Sequence, residues 1–192
     1  MSLAERAKWD ARYRASSPSF APSPFRAELA AVLPRRGRAP DDGGGAGRNA
    51  LALARRGLDV TLADISPVGL DLARAEAERA GIPLETVALD FELELDAVPA
   101  GPWDLILQLH YLHRPLFERY PALLAPGGLL VVVHPTRTNL ARHSKPGPDF
   151  LLDDGELPGL VPSLEIVRYE EGWSDEGRHE ARLAARSPSN CP

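Results

Sequence analysis

The segment "PDDGGGAGRNALALARRG", residues 40–57, places Gly43, Gly44, Gly45 and Gly47 within five positions and runs straight into a helical pattern. Glycine reaches positive φ without a Cβ clash, but it loses more backbone entropy on folding than any other residue. Concentrating it this way makes sense at a strand-to-helix corner that turns tightly and lets a ligand close to the backbone. In open parallel sheets, ligands bind beyond the carboxyl ends of the strands, near the point where strand order reverses.

The flanking sequence alternates in the manner such a sheet needs. "ALALARRG" reads as a helix closed by Gly57, and "LDVTLADIS" as a strand leading into Ser66-Pro67, a helix start. "PVGLDLARAEAERAG" is an amphipathic helix ending at Gly81, followed by the strand "LETVALDF". "WDLILQLHYL" reads as a buried strand and "PLFERYPALLAPGG" as a helix stopping at Pro126-Gly127-Gly128. The β-branched run "LLVVVHP" has the pattern of a strand covered on both faces. "TRTNLARHSKPGP" is loop, and "FLLDDGELPGLVP" reads as a short helix with flanks. The strands "LEIVRYEEG" and "HEARLAARS" are joined at Ser174 to Gly177 too tightly for a parallel crossover, so one runs antiparallel.

Ahead of the corner, "LAERAKWDARYR" reads as a helix, "ASSPSFAPSP" as a loop and "FRAELAAVLPRRG" as a second helix. The strand feeding the corner is the weak element. "GRAPDD", Gly37 to Asp42, has almost no apolar residue, and Pro40 normally demotes a strand to an edge.

With 192 residues the chain is expected to form one domain. Its net charge of −5, with Lys8 and Lys145 the only lysines, gives no basic stripe for a nucleic acid. No apolar run is long enough for a membrane helix, and the first ten residues lack a signal peptide's apolar core. The single cysteine, Cys191, permits no disulfide within the chain, so a cytoplasmic setting is expected.

Two cofactor fingerprints overlay the corner. Gly45 to Ala50 satisfies G-x-G-x-x-G/A for a dinucleotide, and Asp41 to Gly47 satisfies D-x-G-x-G-x-G for S-adenosylmethionine. Asp64, about twenty residues on, suits the ribose of either. Three features favour the sulfonium cofactor. "LDF" places Asp90 and Phe91 where an adenine would sit, "LLAPGGLLVVV" matches the helix–turn–strand of methyltransferases, and no Tyr-x-x-x-Lys pair is present.

The segments "DDGGGAGRNALALARRG", "VTLADIS", "ALDF", "WDLILQLH" and "LLAPGGLLVVV" together resemble a class I S-adenosylmethionine-dependent methyltransferase across nearly the whole chain. The N-terminal "KWDARYR" with "GRNALALA" is similar to the small tellurite-resistance and thiopurine methyltransferase-like group. The resemblance implies a three-layer α-β-α Rossmann-like fold with a mostly parallel seven-stranded sheet and one antiparallel strand near the C-terminus. It implies a helical lid over residues 1–36, a cofactor-binding domain over 37–192, and S-adenosyl-L-methionine as cofactor. By it, Asp41, Gly43, Gly45, Gly47 and Asn49 surround the methionine part, and Asp64 holds the ribose with Ile65 beside the adenine. Asp90 and Phe91 border the base, Leu109 and His110 face the reactive side, and Trp9, Arg12 and Tyr13 belong to the lid. Trp9 and Tyr13 share a helix face by spacing alone, as packing residues also do.

Methyl transfer from a sulfonium requires alignment more than acid–base help, and a base matters only when the nucleophile arrives protonated. His110 and His113 are the candidate catalytic residues, with Arg137 and Arg142 available to an anionic acceptor. His134 ends the strand "LLVVVHP" and His143 falls in the loop with Arg137 and Arg142, where histidines and arginines also serve simply to solvate a rim. His110, His113 and His134 lack the cysteine or spaced carboxylate of a usual ligand set, so no metal is expected. The expected activity is methylation of a small molecule by a monomer or homodimer, with no nucleic-acid or membrane partner. "LHYL" stands where nucleic-acid methyltransferases carry Asn/Asp-Pro-Pro-Tyr/Phe. The alternatives are a small NAD(P)-dependent reductase and a non-catalytic adenosine-cofactor-binding protein.

Overall fold

The computed structural model describes residues 3–15, 18–24, 29 and 31–189. Its helices are α1 (Leu3–Ala15), α2 (Arg48–Ala54), α3 (Pro67–Ala80) and α4 (Arg114–Leu123). The strands are β1 (Arg38–Asp42), β2 (Asp59–Asp64), β3 (Glu85–Ala88), β4 (Trp103–Leu109), β5 (Leu124–Pro135), β6 (Glu165–Trp173) and β7 (His179–Arg186). They form one sheet in the order β3-β2-β1-β4-β5-β7-β6, parallel except for β7, which runs antiparallel to both neighbours. Strand order reverses between β1 and β4, and the glycine corner leaves β1 at that point.

Two-residue periodicity distributes the apolar strand residues between two cores. Leu105, Leu107 and Leu109 join Leu129, Val131 and Val133 on one face, packed with Leu53, Leu58 and Leu70. Ile106, Leu130 and Val132 face the other way, against Leu116, Phe117 and Tyr120 of α4.

The polar first strand forms, and it is central rather than an edge. β1 pairs with β2 at all five positions but with β4 only at Asp41↔Leu107. Pro40 has no N–H to give, and the ladder is thin on one side accordingly. Apolar support comes from neighbouring strands, and the four residues Ala39 to Asp42 are all buried.

α3 has the ends its sequence demands. Ser66 Oγ accepts from the Gly69 N–H at 3.1 Å, Pro67 occupies the first turn, and Gly81 closes the helix at φ 64°. Several readings need correction. "FLLDDGELPGLVP" holds one 3-10 turn, Leu157–Leu160, and another, Pro148–Phe150, ends at its first residue; Gly155 at φ 77° and Pro158 interrupt any helix. Its Leu151, Leu152, Leu157 and Val161 are nonetheless fully buried. β5 begins at Leu124, inside the segment read as helix, and β3 ends before Asp90-Phe91. Of the second expected helix, residues 25–28 and 30 lie outside the described residues; residues 31–37 form turns and bends, with Leu29 and Leu33 buried in the core.

Ser66 also donates from Oγ to Asp10 Oδ1 of α1 at 2.5 Å, so it caps one helix and holds another. Ser66→Ala is expected to cost about 1–2 kcal/mol of stability, measured by urea unfolding.

Candidate cofactor and acceptor site

The corner after β1 is built on three left-handed glycines, Gly43, Gly45 and Gly47, at φ 68°, 59° and 77°. Asp64 at the end of β2 fixes it: Oδ2 accepts the Gly45 N–H and Oδ1 accepts the Ser66 N–H, both at 2.8 Å. Asp41 Oδ2 accepts the Ala50 N–H of α2 at 3.0 Å. α1 lies directly over this corner. A Cβ on Gly45 would overlap the Tyr13 hydroxyl, one on Gly69 would come 2.9 Å from the Tyr13 ring, and one on Gly43 would meet the Tyr111 ring at 2.5 Å. Trp9 and Tyr13 do share a face, with ring centroids 6.1 Å apart and planes 29° apart, and Arg12 lies 5.1 Å from the Trp9 ring. Asn49 Oδ1 accepts the Ser23 N–H at 2.9 Å, docking the segment after α1 onto the first turn of α2.

This floor is rich in buried carboxyls. Asp41 and Asp42 are each 1% exposed. Burial pushes both carboxyls up to about 7; Asp42 and Asp64 add to the rise at Asp41, and the Tyr120 hydroxyl opposes it at Asp42. Burial also raises Asp64, against the two N–H groups that favour its anion. Tyr13 is raised by burial and by Asp64. Among the described residues, Asp41 Oδ1, Asp42 Oδ1, both amide atoms of Gln108 and the Tyr111 hydroxyl have no hydrogen-bond partner. The chemistry of this floor suits a cation. A pyrophosphate would bring further negative charge to it, opposed at Asp41 by Arg48.

The other expected residues separate into two groups. Asp90, half-buried, accepts the Glu92 N–H at 3.0 Å, and Phe91 packs on Tyr111 with ring centroids 5.5 Å apart. Ile65 is half-buried beside Asp64, and Leu109 is buried at the end of β4. His113, at the start of α4, is lowered by burial, with Glu92 and Asp90 opposing, so it belongs to the Asp90 side. His110 belongs to the other side. It is left-handed at φ 62°, and its Nε2 lies 2.9 Å from Glu180 Oε1 on β7. The two candidate catalytic histidines therefore serve different neighbourhoods.

The remaining loop candidates are already engaged. His134 is buried, bonds the Phe150 carbonyl through Nε2 at 2.8 Å, and is pushed down to about 4 by burial, so it stays neutral. His143 Nε2 bonds the Gly177 carbonyl at 2.7 Å. Arg137 pairs with Asp153, and Arg142 stacks 3.8 Å from the Trp173 ring. Asp154, Glu171 and His179 bring ligand-type atoms within 4.8 Å of one another. Each bonds within the protein, to Thr138, Tyr169 and Thr136 respectively.

Sequence reasoning missed Glu180, Arg182 and Trp173. With His110, Ser23, Pro24 and residues 174–176 they line a cavity of about 270 Å³ beyond the end of β4. "HEARLAARS" shows Glu180 and Arg182 as charges in a strand, but only the pairing of β7 with both β5 and β6 makes them charges in a covered strand, where a charge is unusual.

The methyltransferase-domain family model matches residues 41–128, from the acid of the corner to the Gly-Gly of β5. With the seven-stranded sheet and the corner geometry, this makes the chain a member of the class I S-adenosyl-L-methionine-dependent methyltransferases, enzymes whose methyl donor is S-adenosyl-L-methionine. It is 30% identical over 177 residues to the tRNA 5-carboxymethoxyuridine methyltransferase of Escherichia coli K12, covering 81% of this chain and 66% of that protein. It is 37% identical over 114 residues to the ribosomal protein L11 methyltransferase of Thermus thermophilus, covering 57% of this chain and 44% of that one. In fold it is similar to TehB from Haemophilus influenzae, with a TM-score of 0.74 at 18% identity over 93% of this chain and 67% of the other. No helix among the described residues is long and apolar enough to cross a membrane.

The Asp42 carboxyl gives a pH-dependent prediction. A folded-state value near 7, raised from 3.8, stabilises the fold fully below about pH 4, and that contribution is lost as pH rises toward 7. Asp42→Asn keeps an acceptor for Tyr120 and removes the ionisation. It is expected to exceed the wild type in stability by on the order of 2–4 kcal/mol near pH 8, with the advantage vanishing near pH 4. Urea unfolding at the two pH values measures it.

Proposed function

We propose that this chain transfers the methyl group of S-adenosyl-L-methionine to a small-molecule acceptor held in the cavity beside His110. When bound, the cofactor supplies an electrophilic methyl group on a positively charged sulfur. Gly43, Gly45 and Gly47 give its methionine part close approach to the backbone, over the buried carboxyl of Asp41. Asp64 accepts from the ribose hydroxyls on its remaining lone pairs, with Ile65, Asp90 and Phe91 around the adenine and Leu109 at the reactive side. α1, through Trp9, Arg12 and Tyr13, covers the corner and excludes water, and Asn49 holds the following segment in place.

The observation that carries the acceptor part is the position of the cavity. It opens at the carboxyl end of β4, shares Ser23 and Pro24 with the segment docked on Asn49, and has a volume of about 270 Å³. That is just below the range of drug-sized ligand sites, about 300–1,000 Å³, and suits a small acceptor. Its Asp175 and Glu176 would repel a phosphate backbone.

The demethylated product, S-adenosylhomocysteine, is expected to raise the melting temperature, while NADH and NADPH at the same concentration leave it unchanged. Asp64→Ala should weaken cofactor binding by about 1.5–3 kcal/mol, read by calorimetric titration. Unchanged affinity would overturn the ribose assignment.

A further inference from the structure

We propose that Glu180 is a positioning residue that holds His110 with Nδ1 open to receive a proton, and that the acceptor is accordingly a neutral hydroxyl compound, an alcohol or phenol. The proposal rests on the reading of the His110 cavity as the acceptor site.

Four observations support it. The first is the hydrogen bond from His110 Nε2 to Glu180 Oε1, 2.9 Å long. Burial would push the Glu180 carboxyl up, but His110, Arg178 and Arg182 more than offset it and keep it below the ordinary value. An ionised carboxylate only accepts, so Nε2 carries the hydrogen and Nδ1 presents its lone pair. Second, the ring is aimed by its backbone. Strand alternation would turn His110 toward the face of Ile106, whereas φ 62° breaks that alternation and brings it to Glu180, on the face of Ala184. Left-handed backbone is uncommon outside glycine, though histidine tolerates it better than most residues, and here it sets the direction of the ring.

Third, the His110 side chain is 27% exposed and lines the cavity, whereas Glu180 is 6% exposed. A proton taken from a bound acceptor can therefore pass on to solvent, and the carboxylate that balances it stays in place. Fourth, the cavity's charges are Asp175, Glu176 and Glu180 against Arg182, with Arg178 pairing Glu176 at 2.8 Å. This excess of carboxylates disfavours an acceptor that arrives as an anion. A neutral hydroxyl meets no such repulsion, and it is the nucleophile that needs a base.

In the transfer, a lone pair of the acceptor oxygen forms the O–CH₃ bond as the methyl–sulfur bond breaks. The electron pair of that bond stays on sulfur, which becomes a neutral thioether. The hydroxyl proton moves to His110 Nδ1, Glu180 balances the imidazolium, and the proton is released to solvent as the ether product leaves.

The test uses the full chain with Glu180→Gln and His110→Asn, asparagine being one of the few residues at ease in a left-handed conformation. Long-range ¹H–¹⁵N spectra of histidine-labelled protein read the tautomer directly, with the His110 signals assigned by their loss in His110→Asn. The wild type should show the Nε2–H form and Glu180→Gln a mixture; an Nδ1–H wild type, or an unchanged Glu180→Gln spectrum, overturns the positioning role. A panel of simple phenols and thiophenols with S-adenosyl-L-methionine reads the chemistry. Phenol methylation should fall about 100-fold or more in kcat in both variants with KM little changed, while thiophenols, largely ionised beforehand, change by a few-fold at most. Equal losses on phenols and thiophenols overturn the proton-acceptor role and leave the cavity reading intact. If the wild type binds S-adenosylhomocysteine yet methylates neither class, the small-molecule reading falls, and the acceptor class proposed with it.

Discussion

The Asp64 carboxylate is the point on which the site depends. One oxygen holds the glycine turn that follows β1, and the other holds the entry to α3. A single buried carboxyl thus ties together two consecutive strand–helix corners, those that follow β1 and β2. Charge-assisted bonds to backbone N–H groups are about twice as strong as neutral ones, so the turn is held before any ligand arrives. Ser66 extends the same chain of contacts from α3 to Asp10 on α1, which places the covering helix relative to the glycines.

That anion does not act alone, and its surroundings separate two cofactors that share a glycine fingerprint. Asp41, Asp42 and Asp64 crowd into one buried region; burial raises all three, and Asp42 and Asp64 raise Asp41 further. A sulfonium with an ammonium group relieves such crowding, and a pyrophosphate would intensify it. The sequence shows the acids, but only packing shows that Asp42 turns inward to Tyr120 rather than outward to water.

What could be read from the chain and what could not divide along a physical line. Local chemistry was legible: the left-handed glycines, the Ser66 cap, the Gly81 stop and the alternation that builds both cores all depend on residues close in sequence. The central placement of β1 was not, because Pro40 argues for an edge and only the neighbouring strands outweigh it. The helix expected around Leu151 to Val161 failed for a related reason: its apolar residues are buried, but Gly155 and Pro158 dictate turns. At the site, the histidines were visible as residue types, while the difference between His110 and His113 arises from one backbone angle. Glu180 was hidden because its significance depends on β7 lying between β5 and β6, a pairing that the terminal hairpin alone does not specify.

The left-handed seat of His110 also narrows what mutation can place there. β-branched and bulky residues are genuine outliers in this conformation, whereas glycine, asparagine, aspartate and histidine enter it readily. Most single changes at position 110 therefore disturb the exit from the central strand, and the few that do not remove the imidazole. The substitutions that spare the backbone, glycine, asparagine and aspartate, are therefore the ones that separate loss of the imidazole from loss of the fold.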